Sequence, residues 1–361
     1  MPYLSFRKSV DSLFGVRAIV LRREAIVESA MRIAIASLLL VMALRLGAVA
    51  ETMPAAAQTF SEFLLPTPAS RPSAITTGPD GALWFTEAGG KIARITTQGI
   101  ITEFPIKGDG ILHSITTGPD GALWFTEFTS KRIGRIPTTV TADNLQLIEF
   151  AVPESSGPFG ITTGPDGALW FTEGAGGKIG RITTAGVLTE FTIPTTKSGE
   201  ITTGPDGALW FTDARGKIGR TTTTGAVTEF AIPTENSGPG GITTGPDGAL
   251  WFTQSLSGKI GRISTEGKIT EFALPNPNAQ PWGITTGPDG ALWFTESACI
   301  RQPGPRCVVG NRIGRITTTG LVTEFEIPSD GSGPHSIAAG PDGALWFTEY
   351  YGSRVGRLML P

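Results

Sequence analysis

Residues Ile75–Glu87 read Ile-Thr-Thr-Gly-Pro-Asp-Gly-Ala-Leu-Trp-Phe-Thr-Glu, and nearly the same run returns six more times along the chain. The Trp of each copy stands at 84, 124, 170, 210, 251, 293 and 346. Those spacings, 40 to 53 residues, are the period of four-stranded propeller blades. Inside the run, Ile-Thr-Thr and Ala-Leu-Trp-Phe-Thr are β-type segments, here strands a and b. Gly-Pro-Asp-Gly between them is turn chemistry. Pro presets φ, Asp tolerates the turn and Gly accepts positive φ. An Asp repeated in every copy is explained by that turn and needs no calcium.

Further out, each unit adds a strand c, as Lys178–Ile182 (Lys-Ile-Gly-Arg-Ile), and a strand d, as Val227–Pro233 (Val-Thr-Glu-Phe-Ala-Ile-Pro). The last unit ends at Arg357–Pro361, after its strand c. A spare strand d, Phe60–Pro66, precedes the first unit. Pairing it onto the last blade closes the ring without a gap. A solenoid would need polar end caps, and the sequence shows none. The expected fold is all-β: a seven-bladed β-propeller over residues 59–361, four strands per blade, closed by the N-terminal strand.

The chain has 361 residues, so a leader and one domain account for its whole length. Residues 1–50 are read as a leader carrying a secretory signal, and 51–58 as a short linker. Met31-Arg32 opens a positive segment, Ile33–Leu46 is largely apolar, and Ala48-Val49-Ala50 supplies small cleavage-site residues. Cleavage is expected near Ala50 or Ala57, with translation starting at Met31, and the protein in the periplasm or secreted. The apolar stretch is too short, and interrupted by Arg45, to span a bilayer. Loss of residues 1–50 removes seven basic and three acidic side chains and shifts the net charge from −3 to −7. That balance excludes nucleic acid as a partner. Two Cys and two His exclude a zinc-finger array. A monomer is expected.

A residue present in every blade is explained by the blade, so function is sought where blades differ. The position two before the strand-a Ile opens near the channel. It reads Ser73, His113, Phe159, Gly199, Gly240, Trp282 and His335. Both His residues of the protein, and the single Trp outside the blade series, occupy it. Strand b ends on the same face, at Glu87, Glu127, Glu173, Asp213, Gln254, Glu296 and Glu349, with Tyr350 and Tyr351 following the last. A face with imidazoles, carboxylates and aromatics suits a small-molecule or peptide-like ligand. Loop residues without a task are the alternative, and for Phe159 and Trp282 packing at the channel mouth. Cys299 and Cys307 are expected to form a disulfide pinning an insertion over this face, a metal pair being the alternative.

The repeated Gly-Pro-Asp-Gly-Ala-Leu-Trp-Phe-Thr-Glu, the Lys-Ile-Gly-Arg-Ile and the Thr-Glu-Phe-x-Ile-Pro runs resemble the virginiamycin B lyase (streptogramin B lyase) family over residues 59–361. The resemblance implies a carbon–oxygen lyase that linearises a cyclic depsipeptide by elimination. It implies a His base in a Pro-His pair of the last blade, matched by Pro334-His335. It also implies Mg2+ held by two Glu residues. Glu349 matches one of them with a one-residue offset, and Gly333 stands in place of the other. Trp282 replaces the family's substrate-binding His; His113, Phe159, Tyr350 and Tyr351 are further candidates for ligand contact. Indole only donates a hydrogen bond, so Trp282 cannot reproduce an acceptor nitrogen. Two other readings remain open. One is a non-catalytic propeller binding a peptide, glycan or protein on the His/aromatic face. The other is a gluconolactonase-like metal hydrolase, for which channel-lining Asp, Asn and His are few.

Overall fold

The structure, a computed structural model, describes residues 58–108, 110–141, 143–297 and 311–360. The leader, the Met31 start, the Ala50 and Ala57 cleavage sites and the Cys299–Cys307 pair lie outside the described residues.

The chain folds into seven four-stranded antiparallel sheets. Blade 1 is typical, with strands Pro72–Thr77, Leu83–Glu87, Lys91–Ile95 and Ile101–Pro105 in that order. Blade 7 takes Pro334–Ala339, Leu345–Glu349 and Arg354–Met359 from the C-terminal end, and Thr59–Leu64 as its outer strand. That strand pairs antiparallel from Thr59↔Met359 to Leu64↔Arg354, closing the ring as the sequence implies. No helix among the described residues is long and apolar enough to cross a membrane.

The apolar clusters lie between blades. Trp84 and Ile92 of blade 1, for example, pack with Leu123, Phe125 and Ile136 of blade 2. Each blade Trp also stacks on the strand-d Phe of its own blade, with centroids 5.4–5.6 Å apart, as Trp84 does on Phe104. The turn Asp does more than turn the chain. In every blade one of its oxygens accepts the indole N–H at 2.9–3.1 Å. The other accepts the strand-c Arg Nε at 2.6–2.8 Å. Burial works against ionisation of Asp80, but the Trp84 and Arg94 bonds outweigh it and hold its carboxyl below the usual range. Gly81 completes the turn at φ +72°, where a side chain would be strained.

One irregularity positions the functional face. In each blade strand a begins with a β-bulge against strand b. In blade 2, Leu112 pairs with Glu127 and Ile115 with Phe125, so His113 and Ser114 together oppose Thr126 alone. The Thr hydroxyl takes up the slack. Thr126 Oγ1 accepts from the Ser114 amide and donates to the Phe159 carbonyl of the next blade. The interblade half of this link recurs at all seven junctions, at 2.6–3.0 Å, the last running from Thr348 to Ser73. Backbone groups at the bulge are therefore satisfied from beneath, and the side chains above them are free to differ.

Candidate active site

The second residue of every strand a lies on this bulge, at the mouth of the central channel. Ser73, His113, Trp282 and His335 line a common channel cavity of about 140 Å³. An adjoining cavity of about 350 Å³ reaches outward over blades 6, 7, 1 and 2 and adds Ile111, Gln280, Gly333, Tyr350 and Tyr351. His335 sits between Trp282 and Tyr350, with ring centroids 5.3 and 5.6 Å away. Tyr351 stands edge-on to Tyr350 at 5.1 Å and is 63% exposed. On blades 2 and 3 His113 lies against Phe159, centroids 3.6 Å apart, and Phe128 meets Phe159 edge-on. The structure thus brings His335, Trp282, Tyr350, Tyr351 and His113 around adjoining cavities, with Phe159 packed on His113.

Both imidazoles are held neutral. Burial pushes His335 down to about 4, with a Ser73 backbone hydrogen bond offsetting part of the effect. Burial, together with the neighbouring His335, pushes His113 to about 3 against a similar bond to Phe159. The Nδ1 atoms of both rings are buried without a hydrogen-bond partner. Neutral rings of this kind keep one nitrogen as donor and one as acceptor.

The strand-b carboxylates are placed differently from the sequence expectation. Glu87, Glu127, Glu173, Glu296 and Glu349 are fully buried and lie outside the linings of these cavities. Strand b alternates, so Leu83, Phe85 and Glu87 share one face, and that face is packed. Each Glu meets a strand-d Glu and a strand-c cation, Glu349 meeting Glu62 and Arg354. Burial, with Glu62 beside it, pushes Glu349 up to about 8.

These neighbours bear on magnesium, which demands an octahedral set of oxygens. Gly333 has φ +59°, where a side chain is strained, and a Cβ there would fall 2.3 Å from Tyr351 Cδ2, so a carboxylate would have to displace the Tyr351 ring. Glu349 has both oxygens without a hydrogen-bond partner, but it lies in the Glu62–Arg354 environment and not in the His335 cavity. No group of three or more His, Cys, Asp or Glu among the described residues is arranged to hold an ion. The residues beside His335 do not fit a two-carboxylate magnesium site.

One channel residue is not found by the sequence reading. Glu200 follows the Gly199 position and lines the channel cavity, its Oε1 3.7 Å from His113 Nδ1. Strict strand alternation sends residue 200 away from the channel when 199 faces it. The bulge turns both inward. The signal was present in the repeat: the equivalent residues are Ala74, Ser114, Gly160, Gly241, Gly283 and Ser336, so Glu200 is the sole charge in its column.

The molecule is a closed propeller with neutral His residues, aromatics and a concave channel mouth on one face. A profile of the Virginiamycin B lyase family matches residues 58–302 and 307–360, and the chain belongs to that family. It is similar to a streptogramin B lyase structure, with 37% identity, a TM-score of 0.76, and coverage of 84% of this chain and 98% of that one. It is equally similar to a catalytically inactive His-to-Ala variant of virginiamycin B lyase from Staphylococcus aureus with quinupristin, at 38% identity, TM-score 0.76, and 84% and 100% coverage. A virginiamycin B lyase from Saccharopolyspora erythraea is 49% identical over 37 residues, which are 10% of this chain and 12% of that protein.

Proposed function

We propose that the protein is an exported carbon–oxygen lyase that opens a cyclic depsipeptide, or a related cyclic ester, by elimination, with His335 as the base. One observation carries this reading. His335 is a neutral imidazole with an unpartnered Nδ1, set in a cavity of about 350 Å³ on the last blade. A His-to-Ala variant of the Staphylococcus aureus relative is catalytically inactive, and the family resemblance at Pro334-His335 implies that role for His335.

In the proposed step the neutral His335 imidazole takes the proton α to a carbonyl. The electron pair of that C–H bond forms the α–β double bond, and the β C–O bond of the ester breaks. The ester carboxylate leaves with that bond's electrons. No water is consumed, so the linear product has the mass of the substrate. A base held near 4 is fully available at neutral pH but weak in driving force. The carbonyl must therefore be polarised by donors. The Tyr350 hydroxyl and the Trp282 indole N–H are the donors flanking His335. No step is routed through a metal, because the carboxylates beside His335 do not fit one.

The test is mass spectrometry of a streptogramin B incubated with the pure mature protein, with and without magnesium. A linear product of unchanged mass supports elimination. A product heavier by one water, or no product, overturns it. A second reading, a binding module without turnover, is favoured by the replacement of the family His with Trp282. It predicts saturable binding that Trp282→Ala removes, and no product.

A further inference from the structure

A separate cavity, of about 320 Å³, opens on the same face over blades 3 to 5. It exists because the ring positions of blades 4 and 5 are Gly199 and Gly240 and put no side chain into it. Phe128, Phe159 and Trp282 contribute walls, and Glu200 lines it from the channel side. Gly160 makes room for that carboxylate, since a Cβ there would stand 3.0 Å from Glu200 Oε2.

Glu200 differs from the other acids described here in its surroundings. The strand-d Glu residues of six blades each pair with a strand-c Lys or Arg. The turn Asp residues each pair with an Arg. Glu200 meets only His113, and burial keeps that ring uncharged. The titratable and charged groups facing it are His113, His335 and, at the solvent-exposed rim, Lys197.

We propose that this cavity binds an organic cation, an alkyl- or arylammonium group of a small-molecule or peptide-like ligand, with Glu200 as counter-charge and the Phe159 and Trp282 rings as walls. A carboxylate in a partly enclosed, apolar pocket attracts a cation far more than it does in water. The aromatic faces add to the attraction through their quadrupoles. Burial pushes Glu200 up to about 7, so a bound cation that favours the ionised form displaces a proton. Glu200 stands on blade 4 and His335 on blade 7; Trp282 borders both sites, and binding of a cation requires no turnover.

Calorimetry with choline, a permanent cation, and its neutral isostere 3,3-dimethyl-1-butanol tests this without any turnover. Choline is expected to bind on the order of tenfold tighter than the alcohol. Its affinity should rise by about tenfold from pH 6 to pH 8 as Glu200 ionises. Glu200→Gln, close in shape, should remove both the preference and the pH slope. Trp282→Ala should weaken choline binding, and Lys197→Ala should tighten it. Equal affinity for the two probes, undetectable choline binding, or unchanged choline binding in Glu200→Gln overturns the proposal. None of these outcomes bears on whether His335 performs an elimination.

Discussion

The Trp–Asp–Arg girdle and the ring at the channel mouth are built by the same repeat, yet they behave as opposites. The girdle has one arrangement seven times over, with each Asp bridging an indole and a guanidinium. The mouth has five residue types in seven positions: Ser, His, Phe, Gly and Trp. The difference lies in who satisfies the backbone. At the mouth the strand-b Thr bonds the bulge amide and the next blade's carbonyl, so the ring side chain has no structural duty. In the girdle the side chains themselves are the links, and none can change alone.

The largest expected effect breaks this contrast at the mouth. His335→Ala should lower turnover by at least about a hundredfold while leaving the thermal midpoint nearly unchanged. A wild-type rate in that variant removes His335 as the base. The girdle should respond in the opposite sense. Asp166→Ala strands the buried Trp170 indole and unpairs Arg181, and should cost about 2–3 kcal/mol in denaturant unfolding with turnover per folded molecule retained. A loss below about 0.5 kcal/mol would show the girdle bonds to be ornamental.

A third prediction concerns the buried strand-b carboxylates. Burial, aided by Glu324, raises Glu296 to about 8, above its unfolded value. Its folded state binds the extra proton, so its contribution is present below the unfolded pKa and is lost as pH rises through 8. Glu296→Gln should therefore stabilise the protein at pH 8.5 by up to about 4–5 kcal/mol and do nothing at pH 4. Blade 5 already carries Gln254 at this position. Equal stabilisation at both pH values would contradict the burial argument. The smallest effect is kinetic. His335 sits near 4, so the rate should be flat above about pH 5.5 and fall only as pH drops through 4. A profile falling at pH 6.5 would mean that the ring is not desolvated.

How much of this was legible in the sequence follows the same division. The blade count, the strand assignment and the closing strand could be read because each signal is local and repeated. The second task of the Gly-Pro-Asp-Gly Asp was hidden, since it requires knowing that Trp84 and Arg94 face each other across strands b and c. The Glu ring was placed on the channel face, whereas strand alternation packs it beside Phe85 and its equivalents. Glu200 was missed for the reverse reason: a bulge cancels the alternation that would have turned it outward. The histidines were found because rarity and repeat position converge on them, and neither depends on register.

The closing strand has a consequence for how the protein comes into being. Thr59 pairs with Met359, and the sheet they share is the one that carries His335. Every other blade is assembled from neighbouring segments and can form as its own stretch of chain appears. The seventh must wait for both ends, since its loop closure spans nearly the whole domain. The proposed base is therefore the last part of the molecule to acquire its surroundings, and a chain cut short at either end would hold intact blades but an unfinished setting for His335.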